Sequence, residues 1–177
     1  MTTDTHTIDF LISLAEISGV FVGFGVLIGA LQRVDESTPE RKALAQAVSV
    51  LGLVALLAAL LPPVLREFGV SDLSLWFYSS IGYLTVIAIV FAAVLGLEDF
   101  REYSILNYKR WPFVAVFFWI FLEAPLQGAL FLNVFGIFPD KANALYIFAV
   151  FFCVAEAALA LTLLVLHTEV RGEGPRK

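Results

Sequence analysis

The chain has 177 residues, of which 60% are hydrophobic and only 15% are charged, and 17 of them are phenylalanine. A soluble domain of this size has too much surface for its volume to bury so many apolar side chains. Sixteen acidic against eleven basic residues, with no basic run, exclude a nucleic-acid binder. The single cysteine, Cys153, excludes a disulfide framework and a cysteine-ligated zinc site. The composition therefore indicates a small polytopic membrane protein.

Five apolar stretches are long enough to cross the hydrocarbon core, which takes about 20 residues of helix. The chain contains no linker and no low-complexity tract, so residues 1–177 form one predicted transmembrane domain. We predict an all-α fold of five transmembrane helices in one bundle, followed by a short charged tail at 167–177. The predicted helices cover residues 8–32, 38–65, 74–97, 112–138 and 143–166.

Capping residues and prolines set the predicted helix ends. Ser37-Thr38-Pro39-Glu40 is a capping box that begins the second helix after a short turn. Pro62-Pro63 is expected to kink or end that helix, because proline lacks the N–H of a regular helix. Ser71 or Asp72 can cap the third helix. The first two helices should therefore form an antiparallel hairpin.

The positions of lysine and arginine predict the orientation in the membrane. In a five-span arrangement, nine of these residues fall on one side of the membrane and two on the other. This asymmetry places the N-terminus outside and the C-terminal tail in the cytoplasm. The expected location is the plasma (inner) membrane, and the bilayer is the first expected partner.

Three carboxyl side chains lie within the predicted spans, and they carry the main functional signal. They are Glu16 in the first helix, Glu123 in the fourth and Glu156 in the fifth, with no Lys, Arg or His at matching depth. A charge at the bilayer centre costs roughly 3 kcal/mol on insertion scales. Each carboxyl must therefore be protonated, face water or hold a cation.

The first helix places its polar and small residues on one face. Asp9, Ser13 and Glu16 follow each other at helical spacing, so they form one stripe. Glycines that continue this stripe or form a second small pair favour close packing between helices: Gly19, Gly23, Gly25 and Gly29. A glycine-rich first helix bearing a glutamate is similar to the pore helix of small oligomeric cation channels, and the similarity covers this helix alone.

In the fourth helix, Trp119, Glu123 and Gln127 fall on one face. The Trp119 indole needs a polar partner, and Glu123 is the nearest candidate. Pro125 cannot donate to the carbonyl of Phe121, which leaves a free oxygen one turn from Glu123. Carboxylate, amide and carbonyl oxygens are ligands that hard cations prefer, so we expect Gln127 to support an ion or proton site here.

The fifth helix places Glu156 on a face of small or polar residues that leads to its cytoplasmic end. That face includes Cys153, interpreted as a small buried hydrophobe, and ends at His167, interpreted as a solvated helix end with a possible pH-sensing role. Polar residues of the third helix, Ser79 and Tyr83 among them, can hydrogen-bond between helices.

These residues predict a membrane transport protein rather than an enzyme. Histidine occurs only at positions 6 and 167, which leaves no credible catalytic triad, haem ligand pair or di-iron site. We expect no cofactor. The leading hypothesis is a cation-conducting or proton-coupled protein, a homo-oligomer in which acidic residues form rings. Its expected ion is a proton or a monovalent or divalent cation, and the pattern does not say whether a metal binds.

Two further hypotheses remain open. The chain could be a non-catalytic membrane scaffold or subunit whose glycines and protonated glutamates pack against partner helices. Alternatively, it could be a small-molecule-sensing or carrier bundle in which the acidic side chains line a closed cavity.

Overall fold

A computed structural model describes residues 5–31, 39–95 and 117–172, and this part of the chain is helical and contains no strand. Three long helices come first: α1 (Thr5–Leu31), α2 (Pro39–Glu67) and α3 (Asp72–Leu95). A π-helix (Phe118–Glu123) continues directly into α4 (Ala124–Val134). A 3₁₀ turn then precedes α5 (Ala142–Gly172). The predicted all-α class is confirmed.

Four of these helices are long and apolar enough to cross a membrane: the stretches His6–Leu31, Lys42–Glu67, Ser74–Ala93 and Pro139–Leu166. Their outward-facing side chains include many large apolar groups, such as Val26, Ile89 and Phe151, each more than half exposed. Exposure of such a continuous apolar surface to water is energetically unfavourable, whereas contact with lipid chains avoids this cost. The protein is therefore an integral membrane protein.

The predicted fourth span differs in form from the other four. The described part consists of the π-helix and α4, and its apolar stretch, Trp119–Val134, is shorter than a typical span. The beginning of the predicted helix, residues 112–116, lies outside the described residues. So do residues 32–38, which include the predicted first turn and its capping box. The fifth membrane crossing therefore stays a prediction.

Helices α1 and α2 form a tight antiparallel pair, as the sequence predicted. A Cβ atom at Gly25 would collide with the backbone of Ser49, and one at Gly52 would lie 3.1 Å from the backbone nitrogen of Val22. Because Gly25 meets Ser49 while Gly52 meets residues 18–22, the two helices run in opposite directions. Two glycines thus allow the backbones to approach closely.

Helix α5 is the centre of the bundle, and it contacts all the other long helices. The Tyr146 hydroxyl donates to the carbonyl of Ala58 at 2.7 Å, and the Cys153 thiol lies 3.6 Å from the carbonyl of Leu51. These two contacts show that α5 runs antiparallel to α2. On another side, the Tyr146 ring packs against the ring of Tyr83 on α3. Helix α5 therefore carries its polar residues into the most buried part of the protein.

Both prolines of α2 lie inside a continuous helix rather than at its end. The helix continues through Pro62 and Pro63 to Glu67. Because Pro62 has no N–H, the carbonyl of Ala58 loses its intrahelical partner. The Tyr146 hydroxyl donates to this same carbonyl. A side chain from α5 therefore replaces the hydrogen bond that the proline removes.

Two glycine turns mark one end of the bundle. Gly69 and Gly136 have positive φ angles of 79° and 63°, which glycine adopts without strain. The N–H of Val70 donates to the carbonyl of Leu65, and the N–H of Ile137 donates to the carbonyl of Leu132. Helices α2 and α4 therefore end in the same glycine-based cap. The end of the bundle that holds the turns at Gly69 and Gly136 is called the turn end below.

Candidate functional site

Glu123 and Glu156 lie next to each other inside the bundle. Glu156 lies on α5 with 1% of its surface exposed, and Glu123 ends the π-helix with 5% exposed. The two carboxyl groups are close enough to interact directly. We call Glu123 and Glu156 the carboxyl pair. The sequence predicted both residues as site residues, and the structure brings them together.

The local backbone at Glu123 is unusual, because the helix there is wound as a π-helix. The N–H of Ala124 donates to the carbonyl of Trp119, five residues back, instead of four. Pro125 follows directly, and its missing N–H removes another backbone hydrogen bond from the same turn. Insertions of this kind are frequent at functional sites because they alter the direction of a side chain. Here the wider turn ends at the buried glutamate.

Gln127 lies on the same helical face as Glu123 and contacts it, as the sequence predicted. Its amide Nε2 donates to Oε1 of Glu123, one turn away on the same helix. Trp119, the other predicted supporting residue, has 40% of its surface exposed, and its ring packs against Phe91 of α3. Trp119 therefore belongs to the outer surface of the bundle.

The described basic side chains lie at the ends of helices, far from the carboxyl pair along the chain. Lys42, Arg66 and Lys141 are all exposed. Among the described residues, no three His, Cys, Asp or Glu side chains are grouped to hold a metal ion. Two carboxylates without a basic partner or a metal ion repel each other in a medium of low dielectric constant. A shared proton removes this repulsion.

Polar groups of α3 and α5 surround the carboxyl pair on the side of the turn end. Tyr83 is completely buried and lies beside Cys153, with Glu156 also close. Within the described residues, several buried polar atoms have no hydrogen-bond partner: the Ser79 and Tyr83 hydroxyl oxygens, Asn133 Oδ1 and Glu156 Oε1. The site is thus more polar than the carboxyl pair alone.

Glu16 lies apart from the carboxyl pair. Its side chain is exposed on the surface of α1, together with Asp9 and Ser13. The Ser13 hydroxyl donates back to the Asp9 carbonyl at 3.2 Å. The predicted stripe is therefore present, but it faces the surroundings rather than the interior of the bundle.

The four glycines of α1 have different surroundings. Gly25 lies against α2, whereas Gly19, Gly23 and Gly29 have no atom within 4 Å of the position of a Cβ. Within the described part of the chain, these three glycines therefore make no close helix contact. The side chain of His167 lies outside the described residues.

Sequence reasoning treated Ser79 and Tyr83 as general helix contacts and Cys153 as an apolar residue, and it did not consider Asn133. Tyr83 and Cys153 lie near Glu156 because α3 and α5 pack together, and Asn133 contacts Ser80 of α3. Periodicity within one helix does not reveal which helices are neighbours. Comparison of the chain with protein-family models, curated proteins and solved structures gave no match.

Proposed function

We propose that this protein is a proton-coupled membrane transport protein, in which the carboxyl pair takes up and releases a proton. One observation carries the proposal: Glu123 and Glu156 are buried beside each other in an apolar bundle, whereas the described basic side chains are exposed at helix ends. Ionisable residues inside membranes are rare and usually serve ion or proton movement.

A proton fits this site better than a metal ion does. As side-chain ligands, the site offers two carboxyl groups and the amide oxygen of Gln127, whose amide nitrogen already donates to Glu123. A hard metal cation takes six or more oxygen ligands. A proton needs only the two carboxyl groups, one as a donor and the other as an acceptor. Release of this proton leaves two negative charges in a medium of low dielectric constant, so uptake and release respond strongly to nearby water or substrate.

The proposal assigns the site to a single subunit. Both members of the pair come from one chain, so no ring of subunits is needed to assemble it. A homo-oligomer remains part of the proposal through α1, whose exposed face holds Glu16 and open glycine positions. The proposed topology has five spans, with the N-terminus outside and the tail in the cytoplasm of a plasma (inner) membrane.

Proton flux into liposomes tests this function. Purified protein is reconstituted with a pH-sensitive dye inside the vesicles, and a pH gradient is applied with valinomycin and K⁺ to prevent charge build-up. We expect flux above that of empty liposomes and at least about a tenfold loss in Glu123→Gln and in Glu156→Gln, equivalent to about 1.4 kcal/mol of barrier. Glu67→Gln, the same change at the exposed end of α2, is the matched control.

Two results would contradict the proposal. Wild-type flux equal to that of empty liposomes across pH 5 to 8 is one, provided that candidate co-substrates of several charge types are also supplied. Full flux in both variants of the carboxyl pair is the other. Loss of flux in Glu16→Gln alone would instead support a channel lined by α1.

A non-conducting membrane subunit is the second candidate, and the exposed face of α1 favours it. Gly19 and Gly23 lie one turn apart in open space, a spacing that allows a partner helix to approach closely. This candidate predicts that the protein is recovered from its native membrane in a fixed ratio with another membrane protein. It also predicts that Gly23→Leu releases that partner while both variants of the carboxyl pair retain it.

A further inference from the structure

Four buried polar atoms without a partner lie on α3, α4 and α5, three helices that pack against one another. Asn133 belongs to the last turn of α4, Ser79 and Tyr83 lie one turn apart on α3, and Glu156 lies on α5. The exposed fractions of these residues are 7%, 0%, 0% and 1% in the same order. A buried polar group without a hydrogen bond costs about 1–3 kcal/mol. The cost of four such groups in one small bundle would be a large part of a protein's stability, so each needs a partner.

Their order leads from the turn end to the carboxyl pair. Asn133 lies near the turn end, where its Nδ2 donates to the carbonyl of Ala142 at 2.8 Å and to the Ser80 hydroxyl at 3.3 Å. Ser79 follows, and Tyr83 lies about 6 Å deeper along α3, the rise of four helical residues. The Tyr83 side chain is beside Cys153 and close to Glu156. The titratable side chains around Glu156 are thus Glu123, Cys153 and Tyr83.

The surroundings favour water over a larger ligand. The rings of Trp76 and Tyr146 pack at 5.7 Å between their centroids, and that of Tyr83 lies 6.0 Å from Tyr146, so aromatic groups fill the space between the helices. A buried water makes about three hydrogen bonds, preferably to polar groups that lack other partners.

On the far side of the carboxyl pair, the interior is apolar. Leu122, next to Glu123, packs in one cluster with Ala160 and Leu164 of α5, and with Leu44 and Val48 of α2. This cluster offers no side-chain hydrogen-bonding group to a water molecule. Among the described residues, polar side chains therefore lie on one side of the pair and an apolar cluster on the other.

We infer that a line of bound water molecules, held by Asn133, Ser79 and Tyr83, connects Glu156 with the turn end of the bundle and gives protons access to the carboxyl pair from that side. This inference rests on the proposed function and deepens it by assigning the route and the water-binding residues. Tyr83 can both accept and donate a hydrogen bond, so it can pass a proton between neighbouring water molecules. Tyr83, Ser79 and Asn133 are positioning residues for this water.

Hydrogen–deuterium exchange at the Glu156 carboxyl tests the route. After a rapid change from H₂O to D₂O, infrared spectroscopy follows the carbonyl band of the protonated carboxyl pair in lipid, identified by its change in Glu156→Gln. We expect Tyr83→Phe and Ser79→Ala to slow the exchange by about tenfold or more, equivalent to about 1.4 kcal/mol of barrier. Tyr78→Phe is the matched control, because Tyr78 lies on the same helix but is half exposed.

A thermal unfolding measurement gives a second readout that does not depend on exchange. In a dry site, Ser79→Ala removes an unpartnered hydroxyl and stabilises the protein. If the hydroxyl binds water, we expect no such gain. Exchange at the wild-type rate in both variants, or a clear rise in thermal stability of Ser79→Ala, would overturn the inference. Because the exchange needs no net transport, a failed proton-flux experiment and a failed water route give different results.

Discussion

Gly25 and Gly23 lie half a turn apart in α1, but only one of them faces another helix. The position of a Cβ at Gly25 is occupied by the Ser49 side chain, and the backbone nitrogen of Ser49 is 2.8 Å away. At Gly23 the same position is open. The spacing of glycines in the sequence predicted close packing for both, but it could not say which glycine faces α2 and which faces outward.

This difference predicts opposite responses to one added methyl group. Gly25→Ala should lower the free energy of unfolding by about 1–3 kcal/mol, because the α2 backbone must move. Gly23→Ala should leave it unchanged or raise it by up to about 1 kcal/mol, because alanine favours the helix. Denaturant titration of the protein in detergent micelles measures both. Equal effects at the two positions would show that α1 and α2 do not pack as described.

Among the three intramembrane glutamates, the structure separates one from the other two. The sequence identified all three, since charge inside an apolar span is visible without a structure. Which glutamates meet depends on how the helices are rotated and which helices pair. The periodicity of a single helix gives no information on either. Glu123 and Glu156 became neighbours because α4 and α5 pack together, whereas Glu16 lies on an exposed face of α1.

At the scale of elements, α2 and α5 are linked through a carbonyl that a proline sets free. The prolines of α2 were predicted to kink or end the helix, and the helix does not end there but continues through both. The reason lies in α5, whose Tyr146 donates to the Ala58 carbonyl. A partner 88 residues away in the sequence is not visible to local reasoning.

This link predicts a measurable coupling between Tyr146 and Pro62. Tyr146→Phe should lower the free energy of unfolding by about 1–2 kcal/mol, because a buried carbonyl loses its donor. In a Pro62→Ala background, residue 62 supplies its own N–H to Ala58, so the same change should cost less. A double-mutant cycle measured by denaturant titration gives the coupling. A coupling of zero within error would show that the tyrosine does not replace the missing bond.

The π-helix is the element that the sequence did not predict. Helical periodicity places Glu123 and Gln127 on one face, and the structure confirms their contact. The wider turn before them arises where an extra residue is accommodated, and no sequence signal marks it apart from Pro125. The wider turn ends at the buried Glu123.

At the scale of the whole molecule, composition and the length of apolar stretches were enough to predict an all-helical membrane protein. Four helices long enough to span the membrane match four of the predicted five. The order of contacts around α5 required the structure, because each helix is apolar on most of its surface. Lipid-facing and protein-facing positions therefore look alike in the sequence.

A fifth membrane crossing predicts that the turns before α3 and α5 lie on the same side of the membrane. Ser71 precedes α3 and Asp140 precedes α5, and both are exposed. If residues 112–138 cross the membrane, Ser71→Cys and Asp140→Cys should react with a membrane-impermeant thiol reagent from the same side, which we expect to be the outside. Cys153 is buried, so the wild-type protein provides a low background. Labelling of the two variants from opposite sides would contradict five spans.

In the proposed function, the activity of the whole protein depends on the carboxyl pair, which the packing of two helices brings together. Infrared difference spectroscopy between high and low pH, recorded in lipid, tests most directly whether the pair exchanges a proton with water. We expect a carbonyl band of a protonated carboxyl that titrates and shifts in D₂O, and that disappears in the Glu123→Gln, Glu156→Gln double variant. A band that neither titrates nor shifts, or one that persists in the double variant, would contradict the account.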